Sequence, residues 1–541
     1  MLIFALCLLS LSMAVVNAEA PRRGSPYEKQ QSNCSQYKFS QTQCLAHSGC
    51  AYLSCGAWPE YSCNPMFGCE LDSVASSICK ENPVYTCHFR SKSVLTYTTE
   101  ALNDQVTDLP GLNYDTPFNQ FSGYINLPGT EKQIHYWFVE SEVLSVQEGE
   151  NIAPVVFWTN GGPGCSGLIG FLTEQGPFRP DAYGNVNANP YAWNKVANMV
   201  FLEQPVGVGF SYSDNDDDYR IGDDQAAKDN LATIRGFLSR FPHLKSAPLF
   251  ITSESYGGHY MPTLAVEIIN FNDGLPSDGL DRINFHGFAV GNPYTDYYSG
   301  VGAEMETYWG KQLLPKPAWD VYVANGCLST SGQLNNSVCS TLILDFMKKI
   351  GNLNPYALDY PVCLSSQQRM MRSFIFGDAD SVIQYEPCED IFSANYLNMP
   401  EVKKALHVKD DIVWDECSRT TRYQLADKML PMEKYYKIIL DSKTHPNLRV
   451  LVYSGDDDSV CGTIGTQRWI YDLGYPVAKN CNWNVWTVDG QTAGYITKFD
   501  TPYSKDSRFA FITVHFAGHE VPTYKPKEAL ELFEMYINDS I

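Results

Sequence analysis

The stretch FITSESYGGHY, residues 250–260, decides how this chain is read. Phe250, Ile251 and Thr252 run into Ser253-Glu254-Ser255-Tyr256-Gly257-Gly258. Two structures satisfy the pattern. One is a buried strand that ends in a polar turn. The other is a strand that delivers a nucleophilic Ser255 onto a sharp strand-to-helix bend, where residues two positions to either side must be small. Ser253 stands where the G-x-S-x-G elbow has its first glycine, so the stretch alone leaves both readings open.

The surroundings favour a bend within an α/β fold. The runs APVVFW (153–158), ANMVFLEQP (197–205), PLFITS (248–253), INFHGFAVG (283–291), LRVLVYSG (448–455) and FAFITVHFAG (509–518) are short, apolar and closed by turn residues. Such runs predict strands buried on both faces of a mostly parallel sheet. MPTLAVEIINF predicts a helix after the 248–253 strand, and KPKEALELFEMYI predicts a closing helix with Leu530, Phe533 and Ile537 on one face. Strand–helix alternation predicts an α/β domain.

Two later strand ends carry further chemistry. VYSGDDDSVCG places three aspartates just beyond one strand, and FAGHEVP places His519 just beyond another. Aspartates after a strand commonly just solvate a turn, and a histidine after glycine is commonly a loop residue. Three such groups at strand ends, in the order serine, aspartate, histidine, match the chain order of α/β-hydrolases.

Composition sets the outer bounds. With 541 residues, 44% hydrophobic and 18% charged, the chain is globular and longer than one ordinary domain. A net charge of −22 argues against nucleic acid or an anionic membrane as partner. MLIFALCLLSLSMAVVNAEA predicts a signal peptide over residues 1–18, cleaved after Ala18, and no later segment is apolar enough to span a bilayer. Of 17 cysteines, setting aside Cys7 leaves 16. Eight fall between Cys34 and Cys87 and eight between Cys165 and Cys481, which predicts disulfides rather than a zinc site. Sequons at Asn33, Asn335 and Asn538 are compatible with glycosylation. Residues 19–100 read as a small disulfide-rich module or pro-region. Residues 105–292 and 441–541 read as two parts of one core, and 293–440, where the strand pattern lapses, as a cap inserted over the carboxyl edge of the sheet.

WTNGGPGCSG (158–167), WNKVANMVFLEQPVGVGFSYS (193–213), ITSESYGG, LVYSGDDDSVCG and VHFAGHEVPTYKP together resemble the serine carboxypeptidase family, over about residues 105–541. The resemblance implies an α/β-hydrolase fold with a helical cap. It also implies acid-pH hydrolysis of the last peptide bond of substrates with a free C-terminus, without cofactor or metal. By position, Ser255 resembles the nucleophile, His519 the general base and Asp458 the carboxylate that orients it. Backbone N–H groups of Gly162 and Tyr256 would meet the oxyanion, Gly162 because its turn lets the backbone come close. Asn160, Glu174 and Glu254 correspond to the group that holds the substrate's terminal carboxylate, the two glutamates sharing a proton at low pH. Cys165 and Cys417 match the family's disulfide across the cap, leaving Cys327, Cys339, Cys363 and Cys388 to pair among themselves. Departures from the pattern are Ser253, Gly462 where members often carry asparagine, and Glu520 where some carry methionine. A related acyltransferase, or a non-catalytic protective protein on the same scaffold, is the alternative. Asn160 and Glu254 favour the peptidase over the first, and an intact serine, aspartate and histidine counts against the second. The sequence leaves the oligomeric state open, as well as the leaving-residue preference.

Overall fold

The computed structural model describes residues 97–541, apart from 144–145, 148–149, 152, 277–278, 329–336 and 365–384, together with three short strands nearer the N-terminus. The predicted signal peptide, Asn33, Asn335 and the pairing of the N-terminal cysteines lie outside the described residues. The chain divides into two compact units, Met1–Lys92 and Ser93–Ile541. In the first, Cys50–Cys55 pairs antiparallel with both Cys69–Leu71 and Tyr85–Phe89. In the second, a short helix at Thr99–Asn103 buries Ala101 in the main core, so the core begins ahead of residue 105.

The second unit is built on one 11-stranded sheet. Its centre is parallel and runs Asn198–Leu202, Val155–Thr159, Leu249–Glu254, Phe285–Gly291, Arg449–Gly455 and Phe509–Val514. Every residue of Val155–Thr159, Leu249–Glu254 and Phe509–Val514 is buried, which is why these strands read as largely apolar runs; the polar end of Leu249–Glu254 is buried with its hydrogen bonds met, Thr252 on Phe157 O and Ser253 on Thr159 O. Antiparallel strands flank the centre: Lys132–Val139 with Gln120–Asn126 on one side, Gln491–Phe499 with Asn484–Val488 on the other. The sheet is therefore mixed and mostly parallel, with a core cluster on each face. This is an α/β-hydrolase fold.

The helices differ from expectation in detail. The closing helix, Pro526–Ile537, buries Ala529, Leu532, Phe533, Tyr536 and Ile537, while Leu530 is only partly buried. Trp193 stacks on Phe533 at 4.1 Å and Tyr536 reaches Phe250, so sheet-side partners choose the face. Helix Pro400–Ala405 stops short of His407, which takes a φ of +56° that a helix cannot continue through. Helices Tyr297–Gly310, Lys316–Ala324, Ser337–Ile350 and Glu389–Leu397 supply the insertion, with a core of its own around Tyr308, Tyr322 and Phe346. Cys165–Cys417, Cys327–Cys339 and Cys363–Cys388 are disulfides, whereas Cys461 and Cys481 are free. Asn538 is exposed just past the closing helix. Among the described residues no helix is long and apolar enough to cross a membrane.

Candidate active site

Strand Leu249–Glu254 ends at Ser255 and helix Gly257–Asp273 starts two residues later. Ser255 has a φ of +56°, a strained conformation for a residue with a side chain. The bend is held by Ser255 N donating to Gly291 O at 3.0 Å, and by Gly258 N and Tyr294 N donating to Ser255 O at 2.9 and 2.7 Å. Ser253 replaces the elbow glycine without conflict because its hydroxyl donates to Thr159 O at 2.6 Å. Gly257 supplies the space: a Cβ there would fall 2.1 Å from Ser253 Oγ. The opening stretch is an elbow.

The glycine turn at 161–164 meets this elbow. Close approach was expected at Gly162, but the tight contact is at Gly161, where a Cβ would lie 2.4 Å from Tyr256 N and 2.7 Å from Ser255 Cβ. Gly162 is needed for its φ of +108° instead. Among the described residues, neither the Gly162 nor the Tyr256 N–H has a hydrogen-bond acceptor, so both remain available to an oxyanion. Tyr256 is itself fixed, its ring stacked on His259 at 4.4 Å and its hydroxyl donating to Asp223 at 3.0 Å. Asp223 also pairs with His259 Nδ1 at 2.9 Å.

His519 and Asp458 come from the loops after neighbouring parallel strands, and Nδ1 of His519 lies 2.6 Å from Oδ2 of Asp458. Asp458 is fully buried. It also accepts from Asn292 Nδ2 (2.9 Å), Val460 N (2.7 Å) and Cys461 N (3.1 Å), which fixes its orientation toward the imidazole. The other face of the imidazole packs on Tyr356 at 5.0 Å. Burial, then Asp458 and Glu254, pushes the Cys461 thiol well above its usual range, so it stays protonated in the cavity it shares with Ser255. Asn292 and Tyr356 carry no sequence signal for these positions, since each is placed by long-range folding, whereas Cys461 sits in the Asp458 loop itself.

A cavity of about 700 Å³ opens over Ser255 and His519 and is also lined by Asn160, Gly162, Glu254 and Tyr256. Asn160 Nδ2 donates to Glu174 Oε1 at 2.8 Å and to Glu254 Oε1 at 2.9 Å, while its Oδ1 is held by Trp158 Nε1 and Gly170 N. Burial pushes Glu174 up to about 7, against the pull of Asn160, His519 and Arg179. Burial, then the neighbouring Glu174 and Glu520, lifts Glu254 well above the carboxylate range.

Much of the remaining cavity lining is acidic. Glu520, Glu386, Glu389, Asp390 and Glu416 line it beside Tyr385 and Tyr524, and Lys428 is its only lysine or arginine among the described residues. Burial raises Glu389 and Glu416 to about 7 and Glu520 well above its usual value. The Cys165–Cys417 disulfide seats Glu416 there, with Ser166 N donating to Glu416 O at 2.7 Å.

A family model described as serine carboxypeptidase matches residues 110–539. The chain belongs to the serine carboxypeptidase family. Serine carboxypeptidase-like 26 of Arabidopsis thaliana is 34% identical over 450 residues, spanning 81% of this chain and 94% of that one. Serine carboxypeptidase ctsa-4.1 of Caenorhabditis elegans is 32% identical over 462 residues (81% and 93%). The lysosomal protective protein of Mus musculus is 32% identical over 468 residues (80% and 94%). Kex1(delta)p, a prohormone-processing carboxypeptidase from Saccharomyces cerevisiae, shares the fold, with a TM-score of 0.66 at 20% identity over 81% of this chain and 96% of that one. This serine carboxypeptidase is a hydrolase of peptide substrates.

Proposed function

We propose that this carboxypeptidase releases C-terminal residues through an acyl-enzyme on Ser255, working at acid pH in a compartment reached through the secretory pathway. Ser255 Oγ attacks the scissile carbonyl carbon while His519 Nε2 takes its proton, with Asp458 holding Nδ1 so that Nε2 faces the serine. The oxyanion is met by the Gly162 and Tyr256 N–H groups. His519 then returns the proton to the leaving amine and the C–N bond breaks. Water, deprotonated by the same imidazole, hydrolyses the ester and frees Ser255.

The observation that carries the exopeptidase reading is Asn160 forked between two buried carboxyls next to the elbow. A neutral or singly ionised pair donates to a substrate carboxylate, whereas a doubly ionised pair repels it. The acidic lining that begins at Glu520, next to His519, suits a cationic side chain on the released residue. Intact Asn160 and Glu254 favour hydrolysis over acyl transfer, and three disulfides together with a lysosomal relative support the oxidising route and acidic destination. The test is turnover of a blocked dipeptide, its C-terminal amide and an acyl-sugar donor, side by side. Preference for the free carboxylate at pH 5 supports the reading; preference for the sugar ester overturns it.

A further inference from the structure

The three consecutive aspartates after strand Arg449–Gly455 have separate partners. Asp456 accepts from His515 Nδ1 at 2.6 Å and from Phe516 N at 2.8 Å, and Asp458 holds His519. Asp457, between them, faces the cap. Its buried carboxylate accepts from Lys311 Nζ on one oxygen and from Asp359 N, at 2.9 Å, on the other. Lys311 also pairs with Asp359 Oδ2 at 2.7 Å.

Asp359 belongs to a segment of the insertion, residues 354–360, that bonds to both loops of the Asp458–His519 pair. On the aspartate loop, Leu358 N donates to Asp457 O at 3.2 Å, and Ser459 N and Oγ donate to Pro355 O at 3.1 and 2.6 Å. On the histidine loop, His519 N donates to Tyr356 O at 2.7 Å, and Tyr360 OH donates to Phe516 O at 2.9 Å. Gly518 permits the contact, since a Cβ there would meet Tyr356 O at 2.3 Å. Ladder pairing ends at Gly455 opposite Val514, and beyond it two backbone bonds, Asp456 N to Val514 O at 3.2 Å and Asp457 N to Ala517 O at 2.9 Å, tie the two loops to each other. Asp458 and His519 lie past the last of these, where the bonds to residues 354–360 continue the hold on both loops.

We propose that residues 354–360 act as a clamp that sets the spacing of Asp458 and His519, and that Lys311 is the positioning residue that closes it. Lys311 follows helix Tyr297–Gly310, which is tied to helix Thr463–Asp472 by the Glu306–Arg468 ion pair. The ammonium therefore joins a fixed helix to the aspartate loop, through Asp457, and to the 354–360 segment, through Asp359. Removing it leaves the Asp457 carboxylate buried without its cation, and that carboxylate then draws in water or a proton and releases its hold on the segment. The side chain of Lys311 is itself 26% exposed, so its loss is felt locally rather than through the core.

This inference rests on the triad reading, and the experiment separates the two. Lys311→Met, Asp359→Ala, Lys311→Arg and Ser255→Ala are assayed on a blocked dipeptide and its ester. Active sites are titrated with a phosphonylating reagent, and thermal unfolding is followed in parallel. Lys311→Met should lower kcat per titrated site about 10- to 100-fold on both substrates, the loss expected from displaced catalytic groups. Its KM should stay within about twofold, as for an interaction that matters only in the transition state. Asp359→Ala should show the same split more weakly, and Lys311→Arg should recover most of the rate. If Lys311→Met does not accumulate, Asp359→Ala carries the test, because its side chain is exposed and, among the described residues, its one ion pair is with Lys311. A lowered unfolding temperature with unchanged kcat per site, or a loss confined to KM, overturns the clamp. Near wild-type turnover in Ser255→Ala overturns the triad reading instead.

Discussion

Asn160 and Glu254 are joined by a 2.9 Å hydrogen bond from the amide nitrogen, and the same Nδ2 reaches Glu174 at 2.8 Å. One donor thus serves two buried carboxyls, and Glu174 Oε2 has no partner among the described residues. Both groups are raised, mainly by burial, Glu174 to about 7 and Glu254 further. A raised carboxyl keeps its proton below that value and loses it above, so the pair donates to a substrate carboxylate in acid and repels it near and beyond neutrality. Peptide hydrolysis is expected to fall on the alkaline side mainly through KM, while a C-terminal amide stays active to higher pH. Glu174→Gln with Glu254→Gln should flatten the peptide's decline. Coinciding peptide and amide profiles between pH 4 and 9 in the wild type would count against the pair.

The nucleophile is tested by Ser255→Ala. Alanine keeps the bend and its backbone hydrogen bonds, so the protein should fold and melt as the wild type does. Turnover should drop at least about a thousandfold, since no acyl-enzyme forms. A folded variant with substantial activity excludes Ser255 as nucleophile.

Much of this was legible in the sequence, for a physical reason. Val155–Thr159, Leu249–Glu254 and Phe509–Val514 are buried on both faces, and strands of that kind are mostly apolar, with a polar residue admitted only where a hydrogen bond meets it, as at Thr252 and Ser253. Ser255, Asp458 and His519 were findable because each sits just beyond such a run. Leu530 was assigned to the buried face because helical spacing admits several faces. The choice belongs to Trp193 and Phe250, distant in sequence. Tyr356, Asn292 and Lys311 were invisible for the same reason, since nothing local to them marks which loop they will reach. The sequence assigns the close backbone approach of the NGGPG turn to Gly162, and nothing in it separates the roles of Gly161 and Gly162. Only the fold shows that the first yields space to Ser255 while the second supplies a positive φ.

Gly462 illustrates a departure that the structure explains. A Cβ there would lie 2.7 Å from Thr307 Oγ1 and 3.5 Å from Ala303 O, on the helix Tyr297–Gly310. Gly462→Ala should destabilise by about 1–3 kcal/mol through overpacking, and Thr307→Ala should relieve much of that in the double variant. Additive losses in chemical denaturation would place the cause elsewhere.

Stability should itself favour acid. Glu174, Glu389 and Glu416 are raised to about 7 in the folded chain, with Glu254 and Glu520 higher. Unfolded glutamates titrate near ~4.3, so between that pH and 7 the native chain holds protons that the unfolded chain has released. The contribution is complete below the unfolded value and is lost as pH rises through the folded ones. The unfolding temperature is expected to be higher at pH 5 than at pH 7.5. A flat or rising trend would show that groups elsewhere dominate.

The acidic wall beside His519 predicts which residue is released. Glu520, adjacent to the base, is held neutral in acid by burial and then by Glu174 and Asp390. A lysine or arginine side chain entering the recess supplies the opposite charge, which favours ionisation of Glu520 and returns a charge-assisted hydrogen bond. The tyrosine rings at Tyr385 and Tyr524 offer faces for the same cation. An apolar leaving residue gains none of this and must bury against carboxyls that ionise as pH rises. The ratio of kcat/KM for a dipeptide ending in arginine over one ending in leucine should therefore exceed one and widen from pH 4.5 to 6.5. Glu520→Met should cut that ratio at least about tenfold, the worth of one charge-assisted contact, chiefly by slowing the arginine substrate. Glu520→Gln should be intermediate, keeping a polar contact without the charge. A ratio that does not change with pH, or one that Glu520→Met leaves intact, would mean that the wall does not contact the leaving side chain.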